Sequence, residues 1–164
     1  MRLSAESQRL VEDFLRERFR LETLRLSPIS VYHGSVALWL TRTFRIGAIT
    51  FGRHIFIAPD MIKPNESGSL TVPGWLIAHE ATHVWQYQLA GFIGFLSSYL
   101  SEYWRALREQ GKWDSDARTK AYLAISQERD ARESEALYSI WVAEKKRPSQ
   151  DADSSPEQAF DGKA

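Results

Sequence analysis

The sequence predicts a small α+β domain, and three observations predict it. Stretches near residues 4–20, 73–90 and 117–144 repeat apolar side chains at helical spacing, whereas shorter runs near 23–32 and 46–58 are rich in β-branched and aromatic residues. At 164 residues, with 43% hydrophobic and 12% aromatic side chains, the chain can bury one core. The domain is expected over residues 1–144, with a helix bearing two histidines and a later helix bearing glutamates packed on a short sheet. The Lys-, Ser-, Asp- and Pro-rich tail, 145–164, is expected to be disordered.

Each element has its own signal. Ser4 is the expected cap of a first helix that runs to about Arg20 with Leu10, Val11, Phe14, Leu15 and Phe19 on one side. From about Thr23 to Tyr32 the pattern shortens to Leu24, Leu26, Ile29 and Val31, where Pro28 marks either an edge strand or a break, and His33-Gly34 reads as a turn. Ser35 to Phe44 suggests a short helix burying Val36, Leu38, Trp39 and Leu40. Between Ile46 and Ala58 a strand packs Ile55, Phe56 and Ile57 inward, and Gly52 bends it or makes a turn within it; His54 reads as an ordinary strand residue. The loop 63–69 has little pattern.

Pro73 and Gly74 open the next helix, with Thr71 as its expected N-cap. Trp75, Leu76, Ile77, Ala78, Val84 and Trp85 make this helix apolar nearly all round, so it should be buried, and Gly91 is its stop. The following run, 91–104, is apolar, but Ser97, Ser98, Ser101 and Glu102 interrupt it short of the roughly 20 apolar residues a membrane span requires. It reads as a core helix, with an exposed aromatic surface for membrane or partner contact as the alternative. Residues 110–116 form a polar loop, and a last helix covers 117–144.

Composition narrows the function. The 21 basic and 21 acidic side chains cancel, so the basic surface that nucleic-acid binding needs is not indicated. With no cysteine, the chain has no disulfides, thiolate nucleophiles or sulfur ligands, and any metal must be held by nitrogen and oxygen. The opening residues lack the apolar core of a signal peptide, so the cytoplasm is the expected compartment, which is compatible with export by a specialised secretion system.

Residues 79–83 read His-Glu-Ala-Thr-His, an HExxH pentad within the buried helix. Histidines four apart share a helix face with Cβ atoms about 5–6 Å apart, so His79 and His83 can reach one zinc ion, and Glu80 flanks that face without being a ligand. Left without a metal, two imidazoles and a carboxylate in such a helix would all need local hydrogen bonds. A third ligand must come from elsewhere. A long three-histidine motif is excluded, because Gln86 and Leu89 stand where glycine and histidine would follow. On the last helix Ala121, Ala124, Glu128, Ala131, Glu135, Tyr138 and Val142 form one stripe, which favours Glu128 as the third ligand over Glu135 and Asp130. Glu135, further along that stripe, can instead accept a hydrogen bond from a ligand histidine.

With these residues in place, the stretch from Leu24 to Gln88 resembles the core domain of zincin-like metallopeptidases associated with extracellular contractile injection systems. The resemblance is carried by Ala48, Thr50, Gly52 and Ile55, then by Leu76, Ala78, His79, Glu80, Thr82, His83, Val84 and Gln86. Residues 122–132 are similar to the glutamate-bearing segment of gluzincin-type domains, whose glutamate falls on Glu128; Ser27 stands where many members have a histidine. The resemblance implies a zinc-dependent peptidase acting on a peptide or protein substrate. Its chemistry suits zinc on His79, His83 and Glu128 activating water, with Glu80 as general base. Tyr122, Tyr87 and His54 are candidates for stabilising the oxyanion. Two alternatives stand beside the enzyme: an inactive adaptor of the same fold, and a membrane-peripheral or effector-associated protein acting through residues 91–104.

Overall fold

The computed structural model describes residues 2–44, 46–64 and 70–147. The tail expected to be disordered therefore lies outside the described residues from 148 onward, as does most of the unpatterned loop, 65–69. The architecture is α+β: α1 (Ala5–Phe19), β1 (Ser30–Tyr32), α2 (Ser35–Phe44), β2 (Ala48–Phe51), β3 (His54–Ile57), β4 (Lys63–Pro64), β5 (Leu70–Thr71), α3 (Gly74–Glu109), α4 (Ser115–Ala124) and α5 (Ser126–Lys146). β3 is the central strand of a three-stranded sheet, parallel to β1 and antiparallel to β2, and β4 and β5 form a separate ribbon.

The long strand expected over 46–58 is a hairpin. Phe51 pairs with His54, and Gly52, at φ 60°, takes the first place of the two-residue turn, where a left-handed backbone suits glycine. The strand expected over 23–32 is present only from Ser30 to Tyr32. Pro28 has no N–H to offer a ladder, and side chains bond the segment before it instead. Buried Glu12 accepts from Leu26 N, Gln8 donates to Leu26 O, and Gln88 accepts from Ser27 N while donating to Arg25 O.

One core joins α1, the sheet, the start of α3 and α5. Val11, Phe14 and Leu15 of α1 meet Ile29, Val31, Ile55 and Ile57, together with Leu76, Ile77, Ala78, Ala81, Val84 and Tyr138. Ser4 caps α1 as expected, accepting from Ser7 N. The face expected of α2 is wrong, because Ala37 and Thr41 are its buried residues while Val36 and Trp39 are exposed, Trp39 at 65%. Thr41 can lie inside because its hydroxyl donates to Ala37 O.

Gly91 does stop the histidine helix. At φ 71° and ψ 165° it sits in a region open to glycine, and α3 consists of two arms, 74–90 and 92–109. The second arm is less buried than a core helix. Phe95 is covered, but Phe92, Ile93, Leu100 and Trp104 are exposed, Ile93 at 77%. Among the described residues no helix is long and apolar enough to cross a membrane.

Candidate metal centre

The first arm of α3 is seated by small residues. Ala78, Ala81 and, across from them, Ala131 of α5 have no exposed surface, and the missing side chain of Gly74 leaves room for Tyr138, whose Cε1 lies 2.7 Å from where a Cβ would be. Thr82 donates to Ser134 Oγ at 2.7 Å, and Arg18 of α1 donates to the same oxygen at 2.7 Å. These contacts fix the rotation of the helix between its two histidines. The cap differs from expectation: Pro73 occupies the N-cap position, while Thr71 belongs to β5 and donates to Lys63 O. Proline has no N–H to leave unpaired there.

The helix expected over 117–144 is two helices. Ile125, extended at φ −62° and ψ 130° and fully buried, separates α4 from α5, so the single stripe proposed through Ala121, Ala124 and Glu128 is interrupted and Ala124 is exposed. α5 lacks a capping side chain of its own. Glu102, from the second arm of α3, takes that role by accepting from Ser126 N at 2.7 Å and Ser126 Oγ at 2.8 Å, a carboxylate placed at the positive end of the helix. Glu128 therefore falls in the first turn of α5 and faces the histidines.

His79, His83 and Glu128 converge. Their potential ligand atoms lie within 4.8 Å of one another, with His79 Nε2 at 3.7 Å from Glu128 Oε2 and His83 Nε2 at 3.5 Å from Glu128 Oε1. Donors on a tetrahedral zinc with bonds near 2.0 Å stand about 3.3 Å apart, so both histidine–carboxylate distances are close to coordination spacing. Both imidazoles are turned correctly. His79 Nδ1 meets Glu135 Oε2 at 3.1 Å and His83 Nδ1 meets Gln86 Oε1 at 2.9 Å; each acceptor places the ring proton on Nδ1 and leaves the Nε2 lone pair toward the cluster. Glu135 thus holds a histidine, as its place in the sequence suggested. Asp130 lies outside the trio, near Gln86 Nε2 at 3.4 Å.

Charge is balanced within the cluster. Burial alone would push the Glu128 carboxyl up, but the hydrogen bond and charge of His83, followed by the hydroxyls of Tyr122 and Tyr99, hold it down to about 2. Burial would likewise push the His83 imidazolium down, and Glu128, Glu80 and Gln86 together raise it instead. An anionic carboxylate and an imidazole driven toward the cationic form describe a buried site that favours a positive charge at its centre. A cation with nitrogen and oxygen preference fits this donor set.

Glu80 is 4% exposed and accepts from Thr50 Oγ1 of β2 at 2.7 Å through Oε2. The pattern of letters gave no hint of this contact, which ties the sheet to the acid of the pentad. Nor was Tyr99 foreseen. It donates to Glu128 Oε1 at 2.8 Å, and Tyr122 donates to Oε2 at 2.6 Å. Burial pushes both phenols up, so they remain protonated donors. Of the residues considered for the oxyanion, Tyr122 donates its hydroxyl to Glu128 and His54 Nδ1 meets the Tyr32 hydroxyl at 3.2 Å, while the Tyr87 ring packs at a tilt against Phe95, 3.9 Å between ring centres.

Residues 8–91 match the eCIS core domain, a span that runs from α1 through the first arm of α3 and includes Thr50, His79, Glu80 and His83. The chain belongs to the eCIS core domain family. No curated protein and no solved structure matches it. In this eCIS core domain the residue that completes the trio, Glu128, lies beyond the matched span and reaches the pentad through the α3–α5 packing.

Proposed function

We propose that this eCIS core domain is a zincin-like metallopeptidase that hydrolyses peptide bonds in a peptide or protein substrate, with zinc held by His79, His83 and Glu128. The observation that carries the reading is the convergence of two Nδ1-anchored imidazoles and a buried carboxylate at 3.5–3.7 Å. Zinc, when bound there, supplies a Lewis acid that lowers the pKa of water and polarises a carbonyl. Glu80 is the general base: it takes a proton from the attacking water and passes it to the leaving amine nitrogen. Thr50 holds one oxygen of that carboxylate, and Oε1 keeps its capacity to accept. β2 pairs only with β3 among the described residues, so an unpaired strand edge lies beside Glu80, where an extended substrate chain can add.

Zinc-loaded protein incubated with an unfolded protein substrate tests the reading. Wild-type protein should cleave it, and Glu80→Gln should keep its zinc but lose about 100-fold or more of the rate. Zinc binding without cleavage by the wild type would favour the adaptor. The exposed Ile93, Leu100 and Trp104 on the second arm of α3 favour a second role for that arm, contact with a membrane surface, which co-sedimentation with liposomes tests.

A further inference from the structure

Building on the zinc reading above, we propose that Tyr99 and Tyr122 are positioning residues that clamp the Glu128 carboxylate from two separate elements and hold it in ligand geometry. The Tyr99 hydroxyl donates to Oε1 at 2.8 Å and the Tyr122 hydroxyl to Oε2 at 2.6 Å. Each oxygen has about two acceptor sites. One is taken by a phenol, and the same oxygens face His83 Nε2 at 3.5 Å and His79 Nε2 at 3.7 Å. A glutamate has three side-chain torsions, and a helical backbone alone does not fix where its carboxylate points. The two phenols supply that constraint.

Both jaws are anchored independently of the carboxylate. Tyr99 sits on the second arm of α3, where Phe95 packs on Tyr87 at 3.9 Å between ring centres. Ser98 of the same arm accepts from Gln127, and Glu102 caps Ser126, so this arm is bonded to the start of α5 on either side of Tyr99. Tyr122 lies near the end of α4, where the Arg132 guanidinium is 5.9 Å from its ring centre and donates to Leu123 O at 2.6 Å. Neither hydroxyl has another hydrogen-bond partner among the described residues. Two phenols with no other hydrogen-bond partner among the described residues, delivered from two helices to the two oxygens of one carboxylate, constitute a built support for that ligand.

The experiment measures zinc affinity by competition with a chromophoric chelator in the full chain and in Tyr99→Phe and Tyr122→Phe, each of which keeps the ring and removes only the hydroxyl. Tyr103→Phe, a phenol outside the cluster, is the control. The expected result is a loss of about tenfold or more in zinc affinity for each clamp variant and none for the control. Cobalt-substituted protein gives a second readout: the visible bands should shift in the two clamp variants and stay in place in the control. Zinc affinity within twofold of the wild type in either clamp variant, with its cobalt bands unmoved, overturns the clamp and leaves the metal site standing. Failure of the wild type to bind zinc overturns the metallopeptidase reading itself, and the clamp with it.

Discussion

Replacing Thr50 with valine removes one hydroxyl and keeps the shape of the side chain. That hydroxyl lies 2.7 Å from Glu80 Oε2, and both residues are buried, Thr50 at 7% and Glu80 at 4% exposure. Losing a donor to a buried charged acceptor costs about 1.5–3 kcal/mol, because the carboxylate oxygen gives up its partner and cannot recover it from water. At about 2 kcal/mol the folding equilibrium shifts roughly 30-fold. Thr50→Ser keeps the hydroxyl and loses one methyl group, for about 1 kcal/mol or less. Urea denaturation of the wild type and both variants at a common pH measures these differences through the midpoints, provided the slopes agree. The expected order of stability is wild type, then serine, then valine, and in zinc-loaded protein hydrolysis should follow the hydroxyl while zinc content stays unchanged. A valine variant within 0.5 kcal/mol of the wild type, or a serine variant as unstable as the valine one, would refute the Thr50–Glu80 link.

Gly91→Ala should destabilise the protein by about 1–3 kcal/mol, measured in the same titration, because φ 71° with ψ 165° is strained for any side chain even though the added Cβ would meet nothing within 4 Å. An unchanged midpoint would show that the break between the arms is not fixed by this backbone. In metal-free protein, Glu128 is held at about 2, below its ordinary 4.5, so its contribution is complete above 4.5 and is lost as pH falls toward 2. His83 is raised above 6.5, so its contribution is present below 6.5 and is lost as pH rises through the folded value. The thermal unfolding midpoint of chelator-treated protein should therefore be highest between the two flanks, and Glu128→Gln should flatten both; a profile that the substitution leaves unchanged contradicts the pairing. Glu80→Gln should retain zinc and lose cleavage, read as metal content beside product formation, and cleavage at the wild-type rate would remove Glu80 from the mechanism.

Much of the site is legible in local spacing, and what is not comes from long range. His79 and His83 share a face because four residues are close to one helical turn, and Gly91 ends their arm because few other residues adopt its backbone. Glu128 could be selected by residue type and by its place in a helix, yet the stripe used to select it is cut at Ile125, an apolar residue with no breaker signal. The cap that starts α5 belongs to Glu102, 24 residues earlier, so no local pattern could announce it. Tyr99 and Thr50 escape for the same reason: their partners are 29 and 30 positions away, and a hydroxyl on a helix or strand carries no sign of what it will meet. The extended stretch before Pro28 has the apolar residues of a strand, but its backbone groups are bonded by Glu12, Gln8 and Gln88, which sheet periodicity cannot reveal.

The central claim is that His79, His83 and Glu128 hold one zinc ion, and X-ray absorption at the zinc edge of the purified full chain, with metal content measured on the same sample, tests it most directly. One zinc per chain is predicted, with the scattering of two imidazoles and additional oxygen at about 2.0 Å, and one imidazole fewer in His83→Ala. A chain that takes up no zinc after dialysis against it, or a bound zinc whose surroundings are unchanged in His83→Ala, would contradict the account.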